Sequence, residues 1–328
     1  MNAARAAIFG LSGPTPTPME RDFFRAADPW GFILFGRNVE TPGQLSALCA
    51  SLRDAVGRDA PILIDQEGGR VARLRGPVWR EWPDVADHIA ATPPGARDAM
   101  LRDRYRAIAL ELSACGVDVN CAPVLDVAAP DCHPFLTPRA LGSDAETVAR
   151  HGRAIREAMA GGGVSAVVKH IPGHGRARVD SHRELPVIEA DIETLRAVDF
   201  APFRANADAA MAMTGHLMLP AIDPDACATF SPAVIEVIRT EIGFDGLLMT
   251  DDLAMGALSG TAAERAARAL KAGCDLVLHC TGDRAEMEAV AEAAPRLAGR
   301  ARDRADAALA ARPGRPETAP SMERADAR

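Results

Sequence analysis

The sequence has few aromatic residues and no long apolar run. Phe, Trp and Tyr make up 4% of the 328 residues, too few for surfaces that stack on the bases of nucleic acid. The longest apolar stretches, such as Ala209–Met213, are far shorter than the roughly 18 residues of a membrane-spanning helix. No basic block is present, and 37 basic against 45 acidic side chains give a net charge of −8. The composition therefore argues against nucleic acid or a membrane as the main partner.

The cysteines form no pair at a spacing typical of a metal site or a redox motif. There are seven, at positions 49, 115, 121, 132, 227, 274 and 280. The apolar run in Met1–Leu11 is too short for a secretory signal, and no cleavage site follows it. Scattered thiols in a chain without a signal predict a reduced, cytoplasmic protein. We expect it to be a monomer.

Short apolar runs alternate with amphipathic stretches along most of the chain. The runs predict eight β-strands, at Ala7–Gly10, Gly31–Phe35, Ile62–Asp65, Val117–Pro123, Ser165–His170, Ala210–Thr214, Gly246–Thr250 and Asp275–His279. Helix-like segments between strands favour a parallel sheet, and eight such units predict a (β/α)8 barrel over residues 1–311. The alternative is an open doubly wound sheet, but Pro14 spoils the nucleotide-binding turn that such a fold carries after its first strand.

The last residues differ in composition from the rest of the chain. Residues 312–328 are rich in Pro, Arg, Glu and Asp and contain few apolar side chains. We predict that this C-terminal tail is disordered.

Ionisable groups lie at or just after the carboxyl ends of several predicted strands. They are Asp65, Asp126, Lys169 with His170, His216, and Asp251 with Asp252. A single charged residue there is most often a helix cap. Five strands of one barrel with such residues predict a functional site at the carboxyl ends of the strands.

Two adjacent aspartates end the seventh predicted strand. Side chains alternate along a strand, so Leu247, Met249 and Asp251 share one face and Asp252 lies on the other. We assign the functional role to Asp251 and a structural one to Asp252.

A glycine-rich segment, Lys169–Leu185, follows the fifth strand. Pro172 and the glycines beside it predict a long loop, and long loops in compact domains are usually functional. Asp180 lies two residues before His182. This spacing lets the carboxylate bind one ring nitrogen of the imidazole while the other nitrogen faces a substrate.

The first strand lacks the His-x-His pair that metal-dependent barrel hydrolases use, and no tight cluster of His and Asp replaces it. We therefore predict no metal and no cofactor. A metal-dependent hydrolase stays the alternative, for which a chelator should abolish activity.

Four motifs together resemble one known family. They are Ile64–Val71 (IDQEGGRV), Lys169–Gly175 (KHIPGHG), Asp180–His182 (DSH) and Thr250–Met255 (TDDLAM). In this order they resemble glycoside hydrolase family 3, and most closely its single-domain bacterial β-N-acetylhexosaminidases of peptidoglycan recycling. The similarity extends from about Gly31 to His279, and the family fold is the (β/α)8 barrel that the strand count predicts.

The resemblance implies a role for each residue that matches the motifs. Asp251 is the expected nucleophile, and His182, assisted by Asp180, is the expected acid/base. The expected sugar-binding residues are Asp65, Arg73, Arg139, Lys169 and His170. The implied substrate is a small molecule, N-acetylglucosamine β-linked to 1,6-anhydro-N-acetylmuramic acid, with or without a stem peptide.

The chemistry itself requires such a pair of groups. A retaining glycosidase needs a nucleophile and an acid/base, and a histidine with a pKa near neutrality suits the second role. Two further alternatives stay open: a family 3 glycosidase or phosphorylase of other sugar specificity, and a sugar-binding barrel without catalysis.

Overall fold

Eight parallel strands form a closed barrel in the computed structural model, which describes residues 3–181 and 183–314. The barrel strands are β1 (Arg5–Phe9), β2 (Pro29–Leu34), β3 (Ile62–Ile64), β4 (Val119–Asn120), β5 (Ser165–Ile171), β6 (Met211–Thr214), β9 (Leu247–Asp252) and β10 (Leu276–His279). Each pairs with its neighbours in chain order, and β10 closes the ring on β1. The predicted (β/α)8 fold is confirmed. After β6, a short antiparallel hairpin is formed by β7 (Met218–Leu219) and β8 (Asp223–Cys227).

Helices surround the barrel. They are α1 (Pro18–Ala27), α2 (Pro42–Val56), α3 (Val85–Ala91), α4 (Arg97–Ala114), α5 (Ala145–Gly161), α6 (Ile192–Thr194), α7 (Ala201–Ala205), α8 (Pro232–Glu236), α9 (Ala262–Ala272), α10 (Arg284–Ala293) and α11 (Gly299–Ala310). Single π-helical turns follow α6, at Leu195–Asp199, and α8, at Val237–Glu241. Within the part of the chain that the structure describes, no helix is both long and apolar enough to cross a membrane.

Local sequence signals define several helix ends. Thr17 and Glu20 form a capping box at α1, and Thr261 and Glu264 form one at α9, so that side chains satisfy backbone N–H groups that lack a partner within the helix. Gly273 ends α9 with a φ of 115°, in the left-handed region that glycine adopts without a steric penalty.

The barrel interior is filled with apolar side chains from alternate strand positions. Leu247 and Met249 of β9 belong to this inner cluster, whereas Leu248 between them packs outward against the helices. Trp30 is the largest side chain inside and is almost fully buried. The interior is therefore closed by packing, and polar residues find space only where the strands end.

The C-terminal region consists of two helices, α10 and α11, separated by a segment that contains Pro295. Residues of this segment pair with the first strand: the Ala6 N–H donates to the Pro295 carbonyl, and the Leu297 N–H donates to the Ala4 carbonyl. These bonds hold an extended backbone where proline interrupts the helix.

The structure describes the first three residues, 312–314, of the C-terminal tail that the sequence predicts to be disordered. Arg312 pairs with Asp118 at 2.6 Å and with Asp59 at 3.0 Å. Residues 315–328 lie outside the described residues, so disorder of the tail stays a prediction.

Packing at the start of β9 leaves no space for a side chain at Gly246. A Cβ atom there would lie 2.5 Å from the Ala209 carbonyl oxygen and 2.8 Å from that of Ala210. Because these are backbone atoms, Gly246→Ala should lower the free energy of unfolding by about 1–3 kcal/mol. Chemical denaturation measures this. Gly43→Ala, whose Cβ meets nothing within 4 Å, is the control; an equal loss in both variants would contradict the packing argument.

Candidate active site

A cavity of about 320 Å³ opens where the barrel strands end. It is lined by charged, aromatic and apolar side chains, among them Phe35, Asp65, Arg73, Phe135, Arg139, Lys169, His170, His174, Ser181, Asp251, Asp252 and Cys280. Nine of these are charged or polar groups that come from four different strands or the loops after them. The barrel thus brings together residues that are far apart in the sequence.

A buried network of ion pairs forms one wall of the cavity. Lys169 Nζ lies 2.7 Å from Asp65 Oδ1 and 2.7 Å from Glu67 Oε1. Arg73 donates to the other oxygen of Asp65 at 3.1 Å. Arg139 makes two bonds to Glu67, at 2.8 and 2.9 Å. Each carboxylate therefore has two cationic partners, and Lys169 joins the two halves of the network.

The network fixes the charge state of its members. Burial by itself would raise the pKa of Glu67, but the charges of Arg139 and Lys169 outweigh burial and hold that pKa well below its ordinary value. Burial likewise opposes the charge of Lys169, yet Asp65 and Glu67 raise its pKa. Glu67 therefore stays ionised at neutral pH, which makes it unsuited to donate a proton as a general acid.

His170 is oriented by a buried carboxylate behind it. Its Nδ1 lies 2.7 Å from Asp126 Oδ2, and the other oxygen of Asp126 accepts the backbone N–H of His174 at 2.7 Å. A carboxylate accepts and does not donate, so Nδ1 carries a hydrogen and Nε2 faces the cavity side, 3.5 Å from Arg139.

Strand irregularities allow consecutive residues to reach the cavity. The pairing of β5 with β6 shifts register between Lys169 and Ile171, and both Lys169 and His170 line the cavity. The pairing of β9 with β10 shifts in the same way, and both Asp251 and Asp252 line it. A bulge cancels the alternation of side chains, so the prediction that Asp252 faces away from the site is wrong.

The two aspartates nevertheless differ in their hydrogen bonds. Asp252 Oδ1 accepts the backbone N–H groups of Ala254 at 3.0 Å and of Cys280 at 3.1 Å. Asp251 accepts one bond, 2.8 Å long, from the N–H of Asp252. Burial raises the pKa of Asp251, but the hydrogen bond from the Asp252 N–H and the charge of Lys169 help to hold it below its ordinary value. Asp251 is thus an ionised carboxylate in the cavity wall.

The loop after β5 packs along the loop after β4. The carbonyl of Gly175 accepts the Ala129 N–H at 3.0 Å, and the carbonyl of Ala177 accepts the His133 N–H at 2.7 Å. Asp180 lies on this loop and is half-buried, and its neighbour Ser181 lines the cavity. The predicted acid/base, His182, lies outside the described residues.

Three buried polar residues belong to the site but were not among the predicted catalytic or sugar-binding residues. They are Glu67, Asp126 and His174. Glu67 has a signal in the sequence, because it follows Asp65 by two positions. Asp126 follows a strand, but its partner His170 is 44 residues away, and no sequence pattern predicts that pair. For metals, the described ranges 3–181 and 183–314 contain no group of three or more His, Cys, Asp or Glu that could hold an ion.

Comparisons with known proteins agree with this arrangement of charged groups at the end of a barrel. The profile of the glycosyl hydrolase family 3 N-terminal domain matches residues 28–309. A β-hexosaminidase of Nitrosomonas eutropha is 35% identical over 291 residues, which cover 83% of this chain and 80% of the relative. A β-hexosaminidase of Pseudomonas aeruginosa is 36% identical over 293 residues, which cover 88% and 86%.

A solved structure gives the same result in three dimensions. The crystal structure of NagZ from Neisseria gonorrhoeae in complex with N-trifluoroacetyl-D-glucosamine aligns with a TM-score of 0.84 at 30% identity. The alignment covers 94% of this chain and 90% of that one. The chain belongs to glycosyl hydrolase family 3, and it is a glycoside hydrolase. The resemblance that the four motifs carry is confirmed.

His174 provides a test of the electrostatics of the site. Burial lowers its pKa from 6.5 to about 4, and neither ring nitrogen has a hydrogen-bond partner among the described residues. The unfolded chain therefore takes up a proton below pH 6.5 that the native protein takes up only near pH 4. Stability should fall as the pH falls through this window, by on the order of 3 kcal/mol.

The variant His174→Asn should lose this part of the pH dependence, as measured by urea unfolding at pH 7, 5.5 and 4. His133→Asn, in the partly exposed neighbouring loop, should keep it. An unchanged slope in His174→Asn would contradict the assignment of a neutral, buried imidazole.

Proposed function

We propose that this enzyme is a retaining β-N-acetylglucosaminidase that removes non-reducing N-acetylglucosamine by way of a glycosyl-enzyme on Asp251. The observation that supports it most is an ionised, buried carboxylate next to a cluster of fixed cations in a cavity large enough for one sugar. The sugar specificity is taken from relatives whose names describe β-hexosaminidases and from a solved relative that holds an N-acylated glucosamine.

The network of ion pairs suits recognition of sugar hydroxyls. Asp65 offers acceptor oxygens to the cavity, Lys169, Arg73 and Arg139 offer donors, and Glu67 holds Lys169 and Arg139 in place from behind. The internal pairs hold every member in place before the sugar arrives, so binding costs little further ordering. In this proposal the network, with His170, binds the hydroxyls of the non-reducing sugar and directs its anomeric carbon towards Asp251.

The first chemical step breaks the glycosidic bond. A carboxylate oxygen of Asp251 attacks the anomeric carbon and forms an ester, while His182 donates its proton to the leaving oxygen. Asp180 accepts a hydrogen bond from the other ring nitrogen and stabilises the imidazolium before transfer. In the second step the neutral His182 takes a proton from water, whose oxygen attacks the same carbon and releases Asp251.

We further propose that the natural substrate is N-acetylglucosamine linked to 1,6-anhydro-N-acetylmuramic acid in peptidoglycan recycling. This substrate rests on the family resemblance. We propose a cytoplasmic location as well, supported by seven scattered cysteines, six of which are buried. Release of N-acetylglucosamine from 4-nitrophenyl N-acetyl-β-D-glucosaminide, with and without phosphate, tests the activity and separates hydrolysis from phosphorolysis.

A covalent label tests the nucleophile. A 5-fluoro analogue of N-acetylglucosamine with a good leaving group should form a stable ester, and mass spectrometry of the digest should find it on Asp251. Asp251→Ala should lower kcat/KM on the order of 10⁴-fold or more without unfolding the protein. Asp131→Asn, a surface carboxylate on the neighbouring loop, is the control. A label on Asp252 or Glu67 would refute the assignment.

Leaving groups test the acid/base. His182→Ala should slow the natural disaccharide by roughly 10²–10⁴-fold, because a sugar alkoxide leaves poorly without a proton. It should slow the first step with 4-nitrophenyl substrate much less, because nitrophenolate leaves readily. Asp180→Ala should give a milder form of the same pattern. The measurement is the ratio of kcat/KM values for the two substrates, and a ratio equal to that of the wild type would exclude His182 as the general acid.

A further inference from the structure

A chain of buried hydrogen bonds runs behind the cavity wall that carries Asp251. Thr214 Oγ1 lies 2.9 Å from Thr229 Oγ1, which lies 2.8 Å from Nδ1 of His216. Nε2 of His216 lies 3.0 Å from the main-chain carbonyl of Asp252. Thr214, Thr229 and His216 are completely buried, so these contacts do not compete with water. His216 does not line the cavity, and the proposed reaction does not use it.

The partners determine where each hydrogen lies. A carbonyl oxygen only accepts, so Nε2 of His216 carries the hydrogen and donates it to Asp252. Burial lowers the pKa of His216, which agrees with a neutral ring, and in a neutral ring Nδ1 then accepts. The hydroxyl of Thr229 has one hydrogen and two acceptors within reach, Nδ1 at 2.8 Å and the Gly215 carbonyl at 3.3 Å, and the shorter contact favours donation to Nδ1. The oxygen of Thr229 then accepts the hydrogen of Thr214, so that the shortest contacts run from Thr214 to the Asp252 carbonyl.

The Asp252 peptide groups are the direct support of Asp251. The N–H of Asp252 donates to Asp251 Oδ1, and the carbonyl of Asp252 accepts from His216. The regular pairing of β9 with β10 slips at this point, between Leu276 and Leu278. The regular hydrogen bonds between β9 and β10 are interrupted at this register shift. The bond from the His216 side chain therefore supports backbone that lacks regular strand pairing.

From this geometry we propose that His216 is a positioning residue for the nucleophile: by binding the Asp252 carbonyl it fixes the backbone conformation of Asp252, the residue whose N–H aims the Asp251 carboxylate. The proposal rests on the proposed role of Asp251. Thr229 and Thr214 act through His216, because they keep its ring in the tautomer that donates to Asp252. A displacement of about 1 Å at a reacting group can cost about 10²-fold in rate.

The experiment measures covalent inactivation by the 5-fluoro analogue, because this reaction reports attack by the nucleophile without the second step. His216→Leu removes the donor, and its limiting rate of inactivation should fall by about 10²-fold. The inhibition constant of free N-acetylglucosamine should stay unchanged, since the sugar-binding network is untouched. His216→Gln, whose amide can donate to the Asp252 carbonyl and accept from Thr229, should restore the rate to within about fivefold of the wild type.

A second buried histidine gives the matched control. His151 is completely buried and bonds the Leu141 carbonyl outside the cavity, so His151→Leu should lower stability without changing the inactivation rate. If His216→Leu does not fold, Thr229→Val, which removes one hydroxyl at nearly constant shape, should lower the rate about tenfold.

Three results would overturn the inference: equal rates in His216→Leu and His151→Leu, no recovery in His216→Gln, or an unchanged rate in Thr229→Val. Failure of the wild type to form any ester on Asp251 would instead refute the proposed function, and the two failures are therefore distinguishable.

Discussion

Lys169 makes the interaction on which the rest of the site depends. Its ammonium group, at the end of β5, bridges two carboxylates that follow β3, and each of these carboxylates also binds an arginine from a loop. Removal of one partner from a buried pair leaves an uncompensated charge, at a typical cost of 3–5 kcal/mol. The network is therefore rigid, because moving any one member away would leave a buried charge without its partner. Such a set of fixed donors and acceptors can bind hydroxyl groups without rearrangement.

A buried carboxylate with several partners also fixes the loop that follows β5. Asp126 orients the His170 ring and also accepts the His174 N–H, so one buried carboxylate holds both the end of β5 and the loop that follows. Gly175 shows how closely the two loops approach, since a Cβ atom there would lie 1.9 Å from the carbonyl oxygen of Val127. Glycine at this position lets the backbone of the loop that carries Asp180 lie directly on its neighbour.

At the end of β9, hydrogen bonds to the backbone replace ion pairs. The end of β9 carries two adjacent aspartates, and the slipped register with β10 turns both towards the cavity. Their roles separate through their partners: Asp252 accepts two N–H groups with one oxygen, while Asp251 accepts a single N–H. A carboxylate with fewer partners keeps lone pairs available for chemistry. The site thus combines a fixed charged wall for binding with a carboxylate, Asp251, that has fewer hydrogen-bond partners.

The sequence by itself determined the barrel, because apolar periodicity and the number of strands depend on local spacing. It also determined most of the site, since Asp65, Lys169, His170 and Asp251 all lie at or next to the carboxyl ends of strands, and these ends meet at one end of a parallel barrel. Only the tertiary structure decided the pairing of Glu67 with Arg139, of Asp126 with His170, and of His216 with the Asp252 carbonyl. Those partners lie 36 to 72 residues apart, and no local pattern encodes such distances. The cavity-facing position of Asp252 likewise depends on a register shift between strands, which alternation along a single strand cannot predict.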